Sequence, residues 1–198
     1  MLISGRGSNM VAIARACEPA SYPAHIAIVI SNRPQAIGLV RARELGLKTA
    51  VVDHRDHENR ADFETALLEL LRAEGVELVC LAGFMRLLTT QFVDAFPQRI
   101  LNVHPSLLPA FPGLDAQRQA TEYGVRYSGC TVHLVNAELD AGPIVCQSVV
   151  AIEPGDTENV LGARILEQEH RLYPEAIRLF AEDRVRIVGR CVEIRPTL

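Results

Sequence analysis

The chain has 198 residues, 48% of them hydrophobic, with 24 acidic residues against 20 basic ones and a net charge of −4. That balance, with no basic block, argues against general nucleic-acid binding, though a small basic pocket for an anionic ligand stays compatible with it. A chain of this length buries roughly 70% of its unfolded surface without any crosslink.

The five cysteines, Cys17, Cys80, Cys130, Cys146 and Cys191, are scattered, odd in number and form no C-x-x-C pair. They read as small hydrophobes in a reducing compartment, and no zinc site is expected. No apolar run is long enough to span a membrane, and no signal peptide is expected, so a cytoplasmic location follows.

In chain order, "MLIS" (1–4) predicts a strand and "SNMVAIARACE" (8–18) a helix. "HIAIVIS" (25–31) is a strand, "QAIGLVRARELG" (35–46) a helix and "KTAVVD" (48–53) a strand. "ADFETALLELLRAEG" (61–75) is the cleanest amphipathic helix, with Phe63, Leu67, Leu68, Leu70 and Leu71 on one broad face. "ELVCLAG" (77–83) and "RILNV" (99–103) are further strands. These are continuous apolar runs separated by helices, the mark of a doubly wound, mostly parallel α/β sheet covered on both faces. Past residue 128 the pattern changes: "SGCTVHLV" and "GPIVCQSVVAI" read as antiparallel strands with no helix between. A long helix near 157–182, interrupted by Pro174, and a hairpin around Val188-Gly189 complete the chain. The first strand is short for one that is normally central, so native residues ahead of Met1 are an open possibility.

Three segments carry candidate chemistry. "ISGRGSN" (3–9) is a strand, a glycine turn and a helix start. Gly5 and Gly7 permit close backbone approach, Ser8 or Asn9 can cap the helix, and its N-terminal N–H groups suit an anion. Met10 stands where a dinucleotide fingerprint has its third small residue, and Ser31-Asn32 where it has an acidic one, so a single phosphate fits better than NAD. Alone, the segment serves equally as a tight turn with no ligand.

In "RILNVHPSLLPAFPG" (99–113), Asn102 and His104 share one side of a strand, about 6.6 Å apart along it, at the carboxyl end where open α/β sheets bind ligands. An amide donor beside an imidazole can hold an oxyanion and manage a proton. Pro105, Pro109, Pro112 and Gly113 make a stiff exit. On spacing alone, capping of local backbone is the favoured reading of the pair. In "NAELDAGPI" (136–144), Asp140 can orient an imidazole or relay a proton, or be an ordinary turn aspartate. His54 and His57 lack a third clustered ligand and read as a solvated loop rather than a metal site. His133 is either a packed histidine or a partner of the site, and His170 a surface or helix-pairing residue.

The segments "ISGRGSN", "LAGFMRLL" (81–88), "LNVHPSLLPAFPGL" (101–114), "HLVNAELDAGPI" (133–144) and "EQEHRLYP" (167–174) together resemble the phosphoribosylglycinamide formyltransferases, folate-dependent enzymes of purine synthesis. The resemblance implies a single formyltransferase domain over 1–198, Rossmann-like. Its phosphate-binding half is 1–100 and its catalytic and folate-closing half 101–198. It implies direct attack of the ribotide amine on the formyl carbon of the co-substrate 10-formyltetrahydrofolate, with no metal. Asn102 and protonated His104 would stabilise the oxyanion of a tetrahedral intermediate. Asp140 would hold His104 charged and help move the proton through water. Gly7, Ser8 and Asn9 would grip the ribotide phosphate, with Glu169 on the ribose or glycinamide end. Met85, Arg86, Leu87 and Leu88 would line the folate pocket, Asn136, Ala137, Glu138 and Leu139 would close on the pterin, and Arg60 would sit near the glutamate tail. Partners would be small molecules, not nucleic acid or membrane, and the protein a monomer or homodimer. One departure is Gln117, where the family often has His.

Two related classes are weighed against this: a formyltetrahydrofolate hydrolase and a methionyl-tRNA formyltransferase, each of which would carry a further domain. A third alternative is a non-catalytic nucleotide-binding module, in which Asn102, His104 and Asp140 need not converge.

Overall fold

The computed structural model describes residues 1–196. They fall into a first unit, Met1–Leu101, and a second that starts at Asn102.

In the first unit, strands β1 (Leu2–Ile3), β2 (Val29–Ser31), β3 (Thr49–Val51) and β4 (Val79–Leu81) alternate with helices α1 (Ser8–Ala16), α2 (Ile37–Glu44) and α3 (Arg60–Ala73). The spatial order is β3-β2-β1-β4, with β1–β2, β2–β3 and β1–β4 all parallel. Strand order therefore reverses between β1 and β4, and the carboxyl ends there form the usual ligand crevice of such sheets. Every residue of β1, β2 and β4 is buried, which is why the runs are apolar without alternation. The amphipathic face of α3 lies as the periodicity predicts, with Phe63, Leu67, Leu68 and Leu71 buried. Asn59 caps it, its side chain accepting from the Asp62 N–H.

The strand predicted over 25–31 is shorter, Val29–Ser31, the span that finds ladder partners in Thr49–Val51 of β3 and Leu2–Ile3 of β1. His54 and His57 are not in a fully solvated loop. His54 belongs to a 3-10 turn, His54–Asp56, donates from Nδ1 to the Asn32 carbonyl at 3.0 Å, and both rings meet Phe63 edge-on. Helix α4 (Thr90–Ala95) is an addition to the predicted elements. Its cap Thr89 is held by buried Glu64, which accepts from the Thr89 N–H and hydroxyl.

Strand β5 (Ile100–His104) contains the division between the units. The second unit then has α5 (Ala116–Tyr123), β6 (Tyr127–Leu134), β7 (Ile144–Ala151), α6 (Glu158–Ala181), β8 (Val185–Val188) and β9 (Cys191–Ile194). Strands β6 and β7 are antiparallel, with a register shift between Val132 and His133. The C-terminal hairpin β8–β9 turns at Gly189, as predicted. Helix α6 is not interrupted: it runs through Pro174. An interior proline costs about 3 kcal/mol. Tyr173, Ile177, Leu179 and Phe180 are all buried beside it, each contributing about 1.5–3 kcal/mol, so packing wins. The fold is thus a doubly wound, mostly parallel α/β sheet flanked by helices, with antiparallel strands toward the C-terminus.

Burial pushes the Cys130 and Cys146 thiols up to about 12, so both are inert apolar groups at neutral pH.

Candidate active site

The glycine loop of the first unit leaves β1 and enters α1. Gly7 occupies the cap position in the left-handed region, φ 69°, and no side chain caps the helix. The expected cap by Ser8 or Asn9 does not form, because the helix begins at Ser8 itself and a cap must precede the first turn. The first bond of the turn is Val11 N–H to Gly7 O at 3.0 Å, so the N–H groups of Ser8, Asn9 and Met10 lie ahead of the helical ladder. Such groups suit a phosphate.

This loop is held from beneath by Gly38, which sequence reasoning did not single out. The Gly38 N–H donates to Gly5 O at 2.9 Å. A Cβ on Gly7 would come 2.9 Å from Gly38 Cα, and one on Gly38 would come 3.0 Å from Gly5 O and 2.6 Å from Ile3 Cδ1. Arg41 donates to the Arg6 carbonyl at 3.1 Å. A glycine inside a helical pattern was the available signal for Gly38. Also in this unit, Arg60 is exposed at the first position of α3, Met85 and Leu87 are exposed, and Arg86 and Leu88 half-buried.

The second unit brings Asp140 to His104. The carboxylate Oδ2 lies 3.4 Å from His104 Nδ1 and accepts from the Gly113 N–H at 2.8 Å. On the other side of the ring, Nε2 donates to the Phe111 carbonyl at 2.8 Å. Both ring nitrogens of His104 thus face oxygen atoms. Asp140 and Phe111 are each left-handed, at φ 49° and 52°, so both loops are bent to place these groups.

His133 joins Asn102 to this pair. Its Nδ1 donates to the Leu134 carbonyl at 2.9 Å, which leaves Nε2 as the lone-pair side. Nε2 accepts from Asn102 Nδ2 at 3.2 Å and lies 3.7 Å from Asp140 Oδ1. Burial, the largest influence, pushes this imidazole below its ordinary range, and the nearby His104 acts the same way. A neutral ring is the form that can accept from Asn102. His133 is thus a packed histidine, buried with both ring nitrogens in contact, and it also touches Asn102 and Asp140.

Thr131 anchors the proline loop. Its hydroxyl donates to Ser106 O at 2.7 Å and accepts from the Leu108 N–H at 3.0 Å and from Gln147 Nε2 at 2.9 Å. Gly142 closes the turn that presents Asp140: a Cβ there would meet Leu134 O at 1.8 Å. Of the residues expected to close on the pterin, Asn136 accepts from the Glu138 N–H at 3.1 Å in a side-chain turn, and Ala137, Glu138 and Leu139 are exposed. Glu169 is buried on α6, where its charge helps to raise the Cys130 thiol. His170 is half-buried rather than on the surface. Gln117 sits on α5, its side chain 3.8 Å from where a Cβ on Gly162 would be. Among the described residues no group of three metal-ligating side chains is found, and no helix is long and apolar enough to cross a membrane.

Residues 1–177 match the family model described as formyl transferase. The chain is 43% identical to a phosphoribosylglycinamide formyltransferase of Haemophilus influenzae, over 94% of its own length and 88% of that protein. It is 44% identical to a trifunctional purine biosynthetic protein adenosine-3 of Bos taurus, over 94% of its own length, and spans only 18% of that protein. Among solved structures it superposes on glycinamide ribonucleotide transformylase 1 from Symbiobacterium toebii with a TM-score of 0.96 and 54% identity, covering 98% of this chain and 92% of that one.

Proposed function

Because this chain belongs to the formyl transferase family, we propose that it moves the formyl group of 10-formyltetrahydrofolate to the amine of 5'-phosphoribosylglycinamide in purine synthesis. The observation that carries this reading is the His104–Asp140 pair, fixed by Gly113 and Phe111, in a chain so similar to a glycinamide ribonucleotide transformylase.

The amine lone pair attacks the formyl carbon, and the carbonyl electrons move onto oxygen. The Asn102 amide donates one hydrogen bond to that oxyanion. The His104 Nε2–H, resting on the Phe111 carbonyl, exchanges that partner for the oxyanion and donates the second. The intermediate collapses as the bond from carbon to the folate nitrogen breaks. The proton lost by the amine is delivered to that nitrogen, with Asp140 and a water as the relay. The products are the formylated ribotide and tetrahydrofolate.

The Ser8–Met10 N–H groups and the Gly7 loop hold the ribotide phosphate, with the side chains of Ser8 and Asn9 beside it and Glu169 at its sugar or glycinamide end. Met85, Arg86, Leu87 and Leu88 line the folate pocket, residues 136–139 close on the pterin, and Arg60 pairs with the glutamate tail. We take the chain as one formyltransferase domain, a monomer or homodimer, with small molecules as its only partners.

The test is release of the folate product from 10-formyl-5,8-dideazafolate, followed by absorbance with and without the ribotide. We expect release only with the ribotide. In both His104→Ala and Asp140→Asn, kcat/KM should drop about 10²–10⁴-fold, the usual worth of a placed proton-transfer group. Release without the ribotide would mean that water is the acceptor and the reaction a hydrolysis. No release by folded wild type would leave a binding module.

A further inference from the structure

A buried polar link joins the carboxyl ends of β1, β2 and β4, and neither the phosphate loop nor the catalytic trio accounts for it. Ser4 follows β1 and Asn32 follows β2, and they are 3% and 1% exposed. The Ser4 hydroxyl donates to Asn32 Oδ1 at 2.6 Å and accepts from the Met85 N–H at 2.8 Å. A hydroxyl has one proton. With that proton on Asn32, only its lone pairs face Met85, so the second bond has a single polarity. The Asn32 backbone is itself held, since its main-chain carbonyl accepts from His54 Nδ1 at 3.0 Å.

The segment after β4 is thereby tied to β1 at three points. The Ala82 N–H donates to Leu2 O at 2.9 Å, the Ser4 N–H to Gly83 O at 3.1 Å, and the Met85 N–H to the Ser4 hydroxyl. Gly83, at φ 74°, makes the turn. Beyond it Met85 and Leu87 stand 60% and 59% exposed. A single exposed apolar side chain is ordinary. Here two of them, an i, i+2 pair, follow backbone tied to β1 by three hydrogen bonds, at the place where strand order reverses. That is how a fold presents a prepared surface to a ligand.

We propose that Ser4 and Asn32 are positioning residues for the folate surface. Ser4 sets the backbone at Met85, Asn32 sets the direction of the Ser4 proton, and together they hold Met85 and Leu87 ready for the flat apolar ring of the co-substrate. Preorganised backbone lowers the ordering cost of binding, so its loss appears as weaker folate affinity. This inference rests on the transferase reading above.

Titration calorimetry tests it, with 10-formyl-5,8-dideazafolate and, separately, the ribotide, on wild type, Ser4→Ala and Asn32→Ala. In Ser4→Ala the Met85 N–H loses its acceptor and the segment one of its three ties to β1, and the folate Kd should rise about tenfold. In Asn32→Ala the hydroxyl is kept but its proton is no longer directed, and the rise should be about three- to fivefold. The ribotide Kd should stay within about twofold in both, a split that general destabilisation does not produce. If Ser4→Ala does not fold, Asn32→Ala decides alone. Unchanged folate affinity, or equal weakening toward both ligands, overturns the inference. A wild type that binds the ribotide but not the folate analogue overturns the transferase reading itself.

Discussion

In His133 burial decides which hydrogen bond one side chain can make. Its ring is neutral in the fold because burial disfavours its charge, and that neutral ring accepts from Asn102. In the unfolded chain the same ring takes up a proton near its ordinary value of 6.5. Below that value the unfolded state binds more protons than the folded one, so stability falls as pH drops through 6.5 toward the lowered folded value. Above 6.5 both states are neutral and the contribution is constant. Urea midpoints of wild type should therefore decline from about pH 6.5 to about pH 5, and His133→Gln, which cannot charge, should decline less over the same interval. Equal slopes in the two proteins would show that His133 is not the group responsible.

Glycine at position 38 sets two elements in opposition. Alanine there would favour helix α2 by about 1 kcal/mol. The same methyl would press on the Gly5 carbonyl and on Ile3, which is fully buried and has nowhere to swing. Overpacking of that kind costs about 1–3 kcal/mol, so it outweighs the helix gain. Gly38→Ala should lower the urea midpoint and raise the ribotide KM while the folate KM stays put. A more stable protein would mean that the loop yields. Helices α4 and α5 show the limit of periodicity at this scale. Helix α4 has six residues with only Phe92 buried, and α5 buries only Ala116 and Ala120, so neither shows an apolar stripe in sequence. The longer elements were legible because their apolar runs or faces are wide, and α6 was misjudged only where Pro174 speaks louder locally than the packing around it.

Across the whole chain, the alternation of buried strands and helices was readable from residue order, and so was the change to antiparallel strands past residue 128. The pairing of His104 with Asp140 was an expectation carried by resemblance, and the structure places the two side chains together. The contacts of Thr131 and Ser4 were not legible, and for His133 the sequence left a packed ring and a partner of the site both open. Each works through a partner distant in sequence, and no local pattern records which strand end meets which loop. The Thr131 hydroxyl has consequences beyond the site. It uses its one proton and accepts two more, inside a loop where three prolines carry no amide hydrogen at all. A surface loop ordinarily trades its amide hydrogens for deuterium within seconds to minutes, on the timescale of local opening. Leu108 has its amide locked on a buried oxygen, so it should retain its hydrogen as long as the amides of β6, and Thr131→Val should release it early while β6 stays protected. Deuterium uptake at Leu108 would then serve as a clock for opening of the His104 loop, readable without any substrate.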